Sequence, residues 1–181
     1  MSVTEFATRS TEIDGLVVIT MKQIDDQRGA VRELFRASAF ADAGLDVGGP
    51  FQQLNITETN RAGLRGLHAE AITKLVAVVS GAALGAYLDL RSTSPTRGRV
   101  VTVDLVPGTQ VLVPSGVANG FQALVDGTQY LYGFDREWQP GMPGQACNPL
   151  DPALGIPWPI ADAIVSDKDR SAPCLVDLET S

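Results

Sequence analysis

Short segments of alternating apolar character, broken every few residues by turn signals, constrain the fold of this chain more than anything else in it. From Phe51 onward they recur as Phe51–Thr57, Leu75–Val79, Ala82–Leu90, Arg99–Leu105, Thr109–Val113, Gly120–Leu124 and Thr128–Phe134. In Arg99–Leu105, Val101, Val103 and Leu105 share one face while Thr102 and Asp104 take the other, the period of two that a half-buried strand requires. Asp126-Gly127 between two such runs is a hairpin signal. A further β-branched run, Leu16–Met21, is closed by the turn Asp25-Asp26-Gln27-Arg28-Gly29. Ser38–Gly44 reads as one brief helix, and residues 1–12 as an arm without a packing pattern of their own. Even spacing and little helical periodicity predict an all-β sandwich or barrel. The 181 residues suffice for one well-buried domain, 1–181, with no linker, repeat or low-complexity tract dividing it. The Pro- and Gly-rich stretch Asp135–Pro159 is expected to form an ordered loop region over one end of the barrel.

Charge narrows the partners. A net charge of −7 gives no basic field to gather phosphates, so nucleic acid is not expected. A few converging Arg and Lys still suffice for one anionic small molecule. No apolar run approaches a membrane span, the longest being broken by Gly81 and Gly85. The N-terminus lacks the regions of a signal peptide, and Cys147 with Cys174 makes no disulfide framework. These features predict a cytoplasmic enzyme or binding domain.

The chain has a single histidine, His68. Metal-dependent barrels of this kind need two or three His with a carboxylate, and the cysteines are not spaced as a zinc site, so metal catalysis is not expected. Gly81-Ala-Ala-Leu-Gly85 is neither a dinucleotide nor a Walker loop, and no Gly-x-Ser-x-Gly elbow is present. Chemistry must then come from side chains acting as acids and bases. His68 has the one side chain whose ordinary pKa lies near working pH, which suits a general base; a hydrogen-bonded histidine at a strand end is the plain alternative. Lys74 begins a strand with Val76 and Val78 on its face, so it either snorkels to solvent or points into a polar cleft. Tyr130, Tyr132 and Phe134 form an aromatic stripe that packing alone accounts for. Ser166-Asp167-Lys168-Asp169-Arg170 has the look of a solvated turn.

Taken in order, these segments resemble the dTDP-4-dehydrorhamnose 3,5-epimerase family. The markers are Arg28-Gly29 with Glu33, Gln53-x-Asn55, Gly63-Leu-Arg-Gly-Leu-His68 and Asp89-Leu-Arg91 with Ser94-Pro95-Thr96 and Gly98. They continue with Pro114-x-Gly116-x-Ala118-x-Gly120-Phe121, Leu131-Tyr132, Asp151-Pro-Ala-Leu-Gly-Ile156 with Trp158-Pro159, and Ser166-x-Lys168-Asp169-Arg170. The resemblance runs from about Gly15 to Leu175. It implies a cupin (double-stranded β-helix, jelly-roll) sandwich with a few short helices, acting as a homodimer without cofactor on a dTDP-linked 4-keto-6-deoxy sugar.

The resemblance also implies roles. His68 would remove a proton beside the C4 ketone, and Asp169 would orient and charge-stabilise its imidazole. Lys74 would face the developing enolate oxygen. Tyr132 would return a proton from the opposite face. Arg28, Glu33, Gln53, Asn55 and Arg65 would hold the nucleotide diphosphate and sugar, with Lys168 counted among the substrate contacts. Three departures stand out. Only six residues separate Lys74 from His68, fewer than usual in the family. Asn119 stands where the family commonly has a second His, and is expected to donate a neutral hydrogen bond to the enolate. Glu137-Trp138 replaces a pair of tyrosines, so that Trp138 is expected to stack on the base or sugar. Inversion at C3, C5 or both therefore stays open. So do a cupin 3,4-ketoisomerase and a nucleotide-sugar-binding cupin without turnover, although a binder needs no acid and base together.

Overall fold

The apolar faces of the alternating segments meet between two facing sheets. A computed structural model describes residues 1–179 of the chain. One sheet runs, in spatial order, β2 (Ala7–Ser10), β3 (Val17–Thr20), β11 (Thr109–Val113), β8 (Lys74–Ser80), β13 (Thr128–Phe134) and β6 (Gln53–Thr59). The other runs β10 (Val100–Leu105), β9 (Ala83–Asp89), β12 (Val117–Ala123), β7 (Gly63–Glu70) and β14 (Gly144–Ala146), with β15 (Ile164–Val165) lying parallel to β7. Sequence neighbours such as β7 and β8 fall in opposite sheets. That crossing is what makes the sandwich a cupin-type jelly roll rather than a meander.

Strand parity decides what fills the space between the sheets. Val76 and Val78 of β8 and Tyr130 of β13 pack against Tyr87 of β9, Phe121 of β12 and Val103 and Leu105 of β10. Phe121 stacks on Tyr130 with ring centres 4.0 Å apart. Each large side chain buried this way stabilises the fold by roughly 1.5–3 kcal/mol. Lys74 has the same parity as Val76 and Val78, so its side chain enters the sandwich at the end of β8, where the apolar core stops.

The outer faces are covered too. Helix α1 (Ala37–Asp42) seats Phe40 with Ile19, Leu75 and Leu112 on the outside of the first sheet. Cys147, Leu154 and Leu178, the last from helix α3 (Leu175–Glu179), pack on Leu67, Ala86, Leu88 and Ala118 outside the second. The first part of the stretch 135–159 lies at the end of the sandwich where Lys74 enters, with Trp138 bordering the same hollow as Lys74. The later half of the stretch lies across the outer face of the β7 sheet, because Cys147, Leu154, Ile156 and Trp158 are apolar and this face is the one left open.

Other differences from the sequence reading are local. Residues 1–12 form two strands, β1 (Ser2–Thr4) and β2, by joining strands later in the chain, although every residue of both strands is exposed. The turn at Gln27-Arg28 is flanked by a hairpin, β4 (Lys22–Asp26) and β5 (Gly29–Glu33), which with β1 makes a small third sheet. Strand β7 was not evident in the sequence, and it carries His68. At its centre the backbones of β7 and β12 approach very closely: a Cβ at Gly66 would sit 2.5 Å from Gly120 Cα. Both glycines allow that contact, and the pairing register shifts there, between Asn119 and Phe121.

Candidate active site

The site lies where the polar ends of β7, β8, β12 and β13 converge on the helix α2 (Asp167–Arg170). On β7, His68 sits opposite Asn119 of β12 and, on its other side, opposite Ala146 of β14. Ser166 caps α2 by accepting a hydrogen bond from the Asp169 N–H at 3.1 Å. Asn148 Nδ2 donates to the Arg170 carbonyl at 2.9 Å and ties the helix to the chain beside β7. The apparent solvated turn is thus a fixed helix with Asp169 only 6% exposed.

His68 Nε2 and Asp169 Oδ1 are 2.7 Å apart across 101 residues of sequence. The carboxylate is an acceptor, so the neutral imidazole donates Nε2–H to it and keeps its lone pair on Nδ1. Asp169 Oδ2 also accepts, at 3.4 Å, from the Gly66 N–H. The imidazole is about one-third exposed and opens onto three adjoining cavities.

Lys74 is 4% exposed and lies on the floor of the innermost cavity. Its ammonium donates to Asn119 Oδ1 at 2.7 Å, to the His68 carbonyl at 3.2 Å and to Glu70 Oε2. Burial pulls the ammonium below the ordinary lysine value, and the Glu70 carboxylate opposes that pull. Asn119 therefore presents its carbonyl to Lys74, a different contact from the donation to substrate anticipated in the sequence. Glu70 was missed altogether. Its one signal was parity, since it lies two residues beyond His68 on the same face of β7.

Tyr132 faces the same cavity from β13, its ring 4.8 Å from that of Tyr130 and 5.7 Å from that of Phe134. Its phenol is pushed well above its ordinary value, chiefly by its desolvated surroundings. Arg65 pulls the other way, and the charges of Glu70 and Asp169 add to the rise. Tyr132 therefore stays a neutral O–H donor at working pH.

The innermost cavity, of about 190 Å³, is lined by these groups together with Asn55, Thr57, Arg65 and Trp138. It adjoins a larger cleft of about 820 Å³ that takes in Thr59, Arg65, Ser166, Lys168 and Asp169. Arg65 Nε donates to Thr59 Oγ1 at 3.0 Å, which fixes the guanidinium between the two. Gln53, on the edge strand β6, accepts from the Trp138 N–H at 2.8 Å and donates to Asn55 at 3.2 Å, so it positions the loop carrying the indole. Gln53 itself lines none of these cavities, and two further expected residues lie elsewhere. Arg28 sits at the tip of the β4–β5 hairpin, paired with Asp26, and Glu33 is paired with Arg36; neither lines these cavities within one copy of the chain. Among the described residues, no group of three or more His, Cys, Asp or Glu is arranged to hold a metal ion.

An imidazole hydrogen-bonded to a buried carboxylate, a buried ammonium and a neutral phenol around one cavity are groups able to take up and release protons. Comparison with known proteins meets this geometry directly: the sequence model of the dTDP-4-dehydrorhamnose 3,5-epimerase family matches residues 10–177. The chain belongs to that family. It is 36% identical to a dTDP-4-dehydro-6-deoxyglucose 3-epimerase of Streptomyces bikiniensis, over 85% of this chain and 81% of that one. Its fold superposes with a TM-score of 0.90 on NovW, a 4-keto-6-deoxy sugar epimerase of Streptomyces spheroides, at 29% identity and covering 98% and 91% of the two chains. The RmlC epimerase of Legionella pneumophila, solved in complex with dTDP-4-keto-L-rhamnose, gives a TM-score of 0.87 at 31% identity, covering 96% and 97%. The protein is accordingly an isomerase, an epimerase acting on a nucleotide-linked sugar.

Proposed function

We propose that this epimerase inverts C3, C5 or both in a dTDP-4-keto-6-deoxy-hexose, with His68 as base and Tyr132 as acid. The observation that carries the assignment is the 2.7 Å contact of His68 Nε2 with a buried carboxylate, in a cavity that Tyr132 also faces. The C4 ketone acidifies the hydrogens on both neighbouring carbons. His68 Nδ1 takes one of them, and Asp169 balances the imidazolium that forms. The electron pair moves onto the ketone oxygen as an enolate, held by the Lys74 ammonium. Tyr132 then delivers its proton to the opposite face of the same carbon, which completes the inversion and leaves the phenolate to recover a proton from solvent.

The larger cleft suits the nucleotide diphosphate, with Arg65 and Lys168 as its cationic lining and Asn55 and Gln53 at the sugar edge. Trp138 offers an aromatic surface beside the inner cavity. We also read residues 1–181 as one catalytic domain that works as a homodimer. Support comes from the exposed apolar side chains of the small sheet, Val3, Ile24 and Val31, and of the open edge strand β6, Leu54 and Ile56. A hairpin contributed by the second copy would bring Arg28 and Glu33 toward the nucleotide. A cytoplasmic place of action follows from the substrate class, since a diphosphate sugar does not cross a bilayer unaided.

Incubation with dTDP-4-keto-6-deoxyglucose in deuterated water tests the reading. Deuterium at C3 and C5 with inverted product indicates a two-site enzyme, and deuterium at one carbon indicates a single-site enzyme. Migration of the carbonyl to C3 would establish the ketoisomerase instead, and binding without exchange would establish a non-catalytic binder.

A further inference from the structure

An ammonium has three N–H groups, and all three of Lys74's are taken: by Asn119 Oδ1, by the His68 carbonyl and by Glu70. Two of these acceptors are neutral and held by the sheet. The Glu70 side chain alone brings charge, and it reaches Lys74 only because the turn between β7 and β8 is short enough to place the two residues four apart. Other titratable or charged groups around this point are His68 and Arg65 on β7, Tyr132 on β13, Asp135 just past β13, and Asp169 on α2. The carboxylates of Asp169 and Asp135 are engaged elsewhere, with His68 and with the Thr73 N–H and Arg136. Glu70 is therefore the anion that answers the buried cation.

We propose that Glu70 is a positioning residue for the epimerisation: its carboxylate keeps Lys74 ionised and anchored, leaving the longest contact, to the His68 carbonyl, to be exchanged for the substrate's C4 oxygen. The proposal rests on Lys74 acting at that oxygen. A cation buried beside neutral acceptors alone loses its proton readily. With Glu70 in place the ammonium survives to higher pH, so the enolate is met by charge rather than by a neutral amine.

The test compares native protein with Glu70→Gln, Glu70→Asp, Lys74→Met and the double variant Lys74→Met/Glu70→Gln. The readouts are pH profiles of kcat/KM and deuterium exchange on dTDP-4-keto-6-deoxyglucose. Glu70→Gln keeps an acceptor and removes the charge. Its alkaline limb should move to lower pH, with the loss reaching about tenfold or more above neutrality and falling on kcat rather than KM, as expected for one charge-assisted contact. Glu70→Asp keeps the charge and should retain the native limb, which preserves the test should Glu70→Gln fail to fold. In the Lys74→Met background, Glu70→Gln should add no further loss. A Glu70→Gln profile that superimposes on the native one, or an undiminished Glu70→Gln loss without Lys74, overturns the proposal while leaving the Lys74 assignment intact. Native exchange in Lys74→Met overturns both.

Discussion

Asp169→Asn isolates the charge of the His68–Asp169 pair with little change of shape. The 2.7 Å contact is a hydrogen bond between a buried carboxylate and an imidazole that becomes cationic when it takes the substrate proton. Hydrogen bonds to charged groups contribute about 1.5–3 kcal/mol. At 1.36 kcal/mol per factor of ten, losing that stabilisation slows proton abstraction by about 13- to 160-fold. An added cost arises if the new amide turns its NH2 toward Nε2, because the imidazole must then carry its proton on Nδ1 and has no lone pair for the substrate. The loss therefore belongs at the upper end of the range or beyond it. Fold stability should hardly change, since Ser166 still caps α2 and Asn148 still binds the Arg170 carbonyl. The assay is the single-turnover rate of deuterium entry beside the C4 ketone, followed by NMR, with the thermal midpoint measured on the same samples. A folded Asp169→Asn protein slowed by less than about threefold, under 0.7 kcal/mol, would refute the assignment of Asp169 as charge partner.

Two further outcomes are expected. Tyr132→Phe should suppress inversion yet leave measurable solvent exchange, because the enolate still forms and His68 can return a deuteron to the original face; loss of exchange together with inversion would remove Tyr132 from the role of acid alone. Stability should fall on acidification in a way that Asp89→Asn abolishes. Burial alone would raise the fully buried Asp89 carboxyl, but hydrogen bonds from Arg91, Ser94 and Thr96 outweigh it and hold the group well below the usual range. A depressed carboxyl contributes its full stability above its unfolded value of about 4 and loses it as pH falls toward the folded value. Thermal midpoints measured from pH 6 downward would show this, and parallel curves for the native and Asp89→Asn proteins would contradict it.

The sandwich was legible because several of its strands keep a period of two. Val101, Val103 and Leu105 face the core together, as do Val76 with Val78, and Tyr130 with Tyr132. Strand β7 was hidden for a physical reason. Its buried apolar residues are Leu64, Leu67 and Ala69, and the odd step from 64 to 67 breaks the alternation where the register shifts around Gly66. The helix carrying Asp169 was equally obscure, since four residues rich in charge carry no periodicity and the buried aspartate is explained by contacts distant in sequence, with His68 and the Gly66 N–H. The third sheet escaped notice because its strands are short and each carries only one apolar residue of its central row, Val3, Ile24 and Val31, which shows no alternation along any one strand.

Strand β7 and the helix carrying Asp169 are the features on which the proposed chemistry rests. A regular β7 would keep strict alternation through residue 66, and His68 would then project to the face opposite the one it occupies. The Gly66–Gly120 approach supplies the missing half-step, turning Leu67 to the outer apolar layer and His68 toward the cavity with Asn119 as its cross-strand neighbour. The Gly66 N–H that this geometry exposes also reaches Asp169 Oδ2, so the same irregularity aims the base and helps to hold its partner. An alanine at either glycine would carry a Cβ within 2.6 Å of backbone atoms on the opposing strand. The two strands could part there only by undoing the step that places His68 beside Asp169. Under the proposed mechanism the Arg65-Gly66-Leu67-His68 run would then act as one device: a cation for the nucleotide, a break in the pleat, an apolar anchor and the base that the break turns inward.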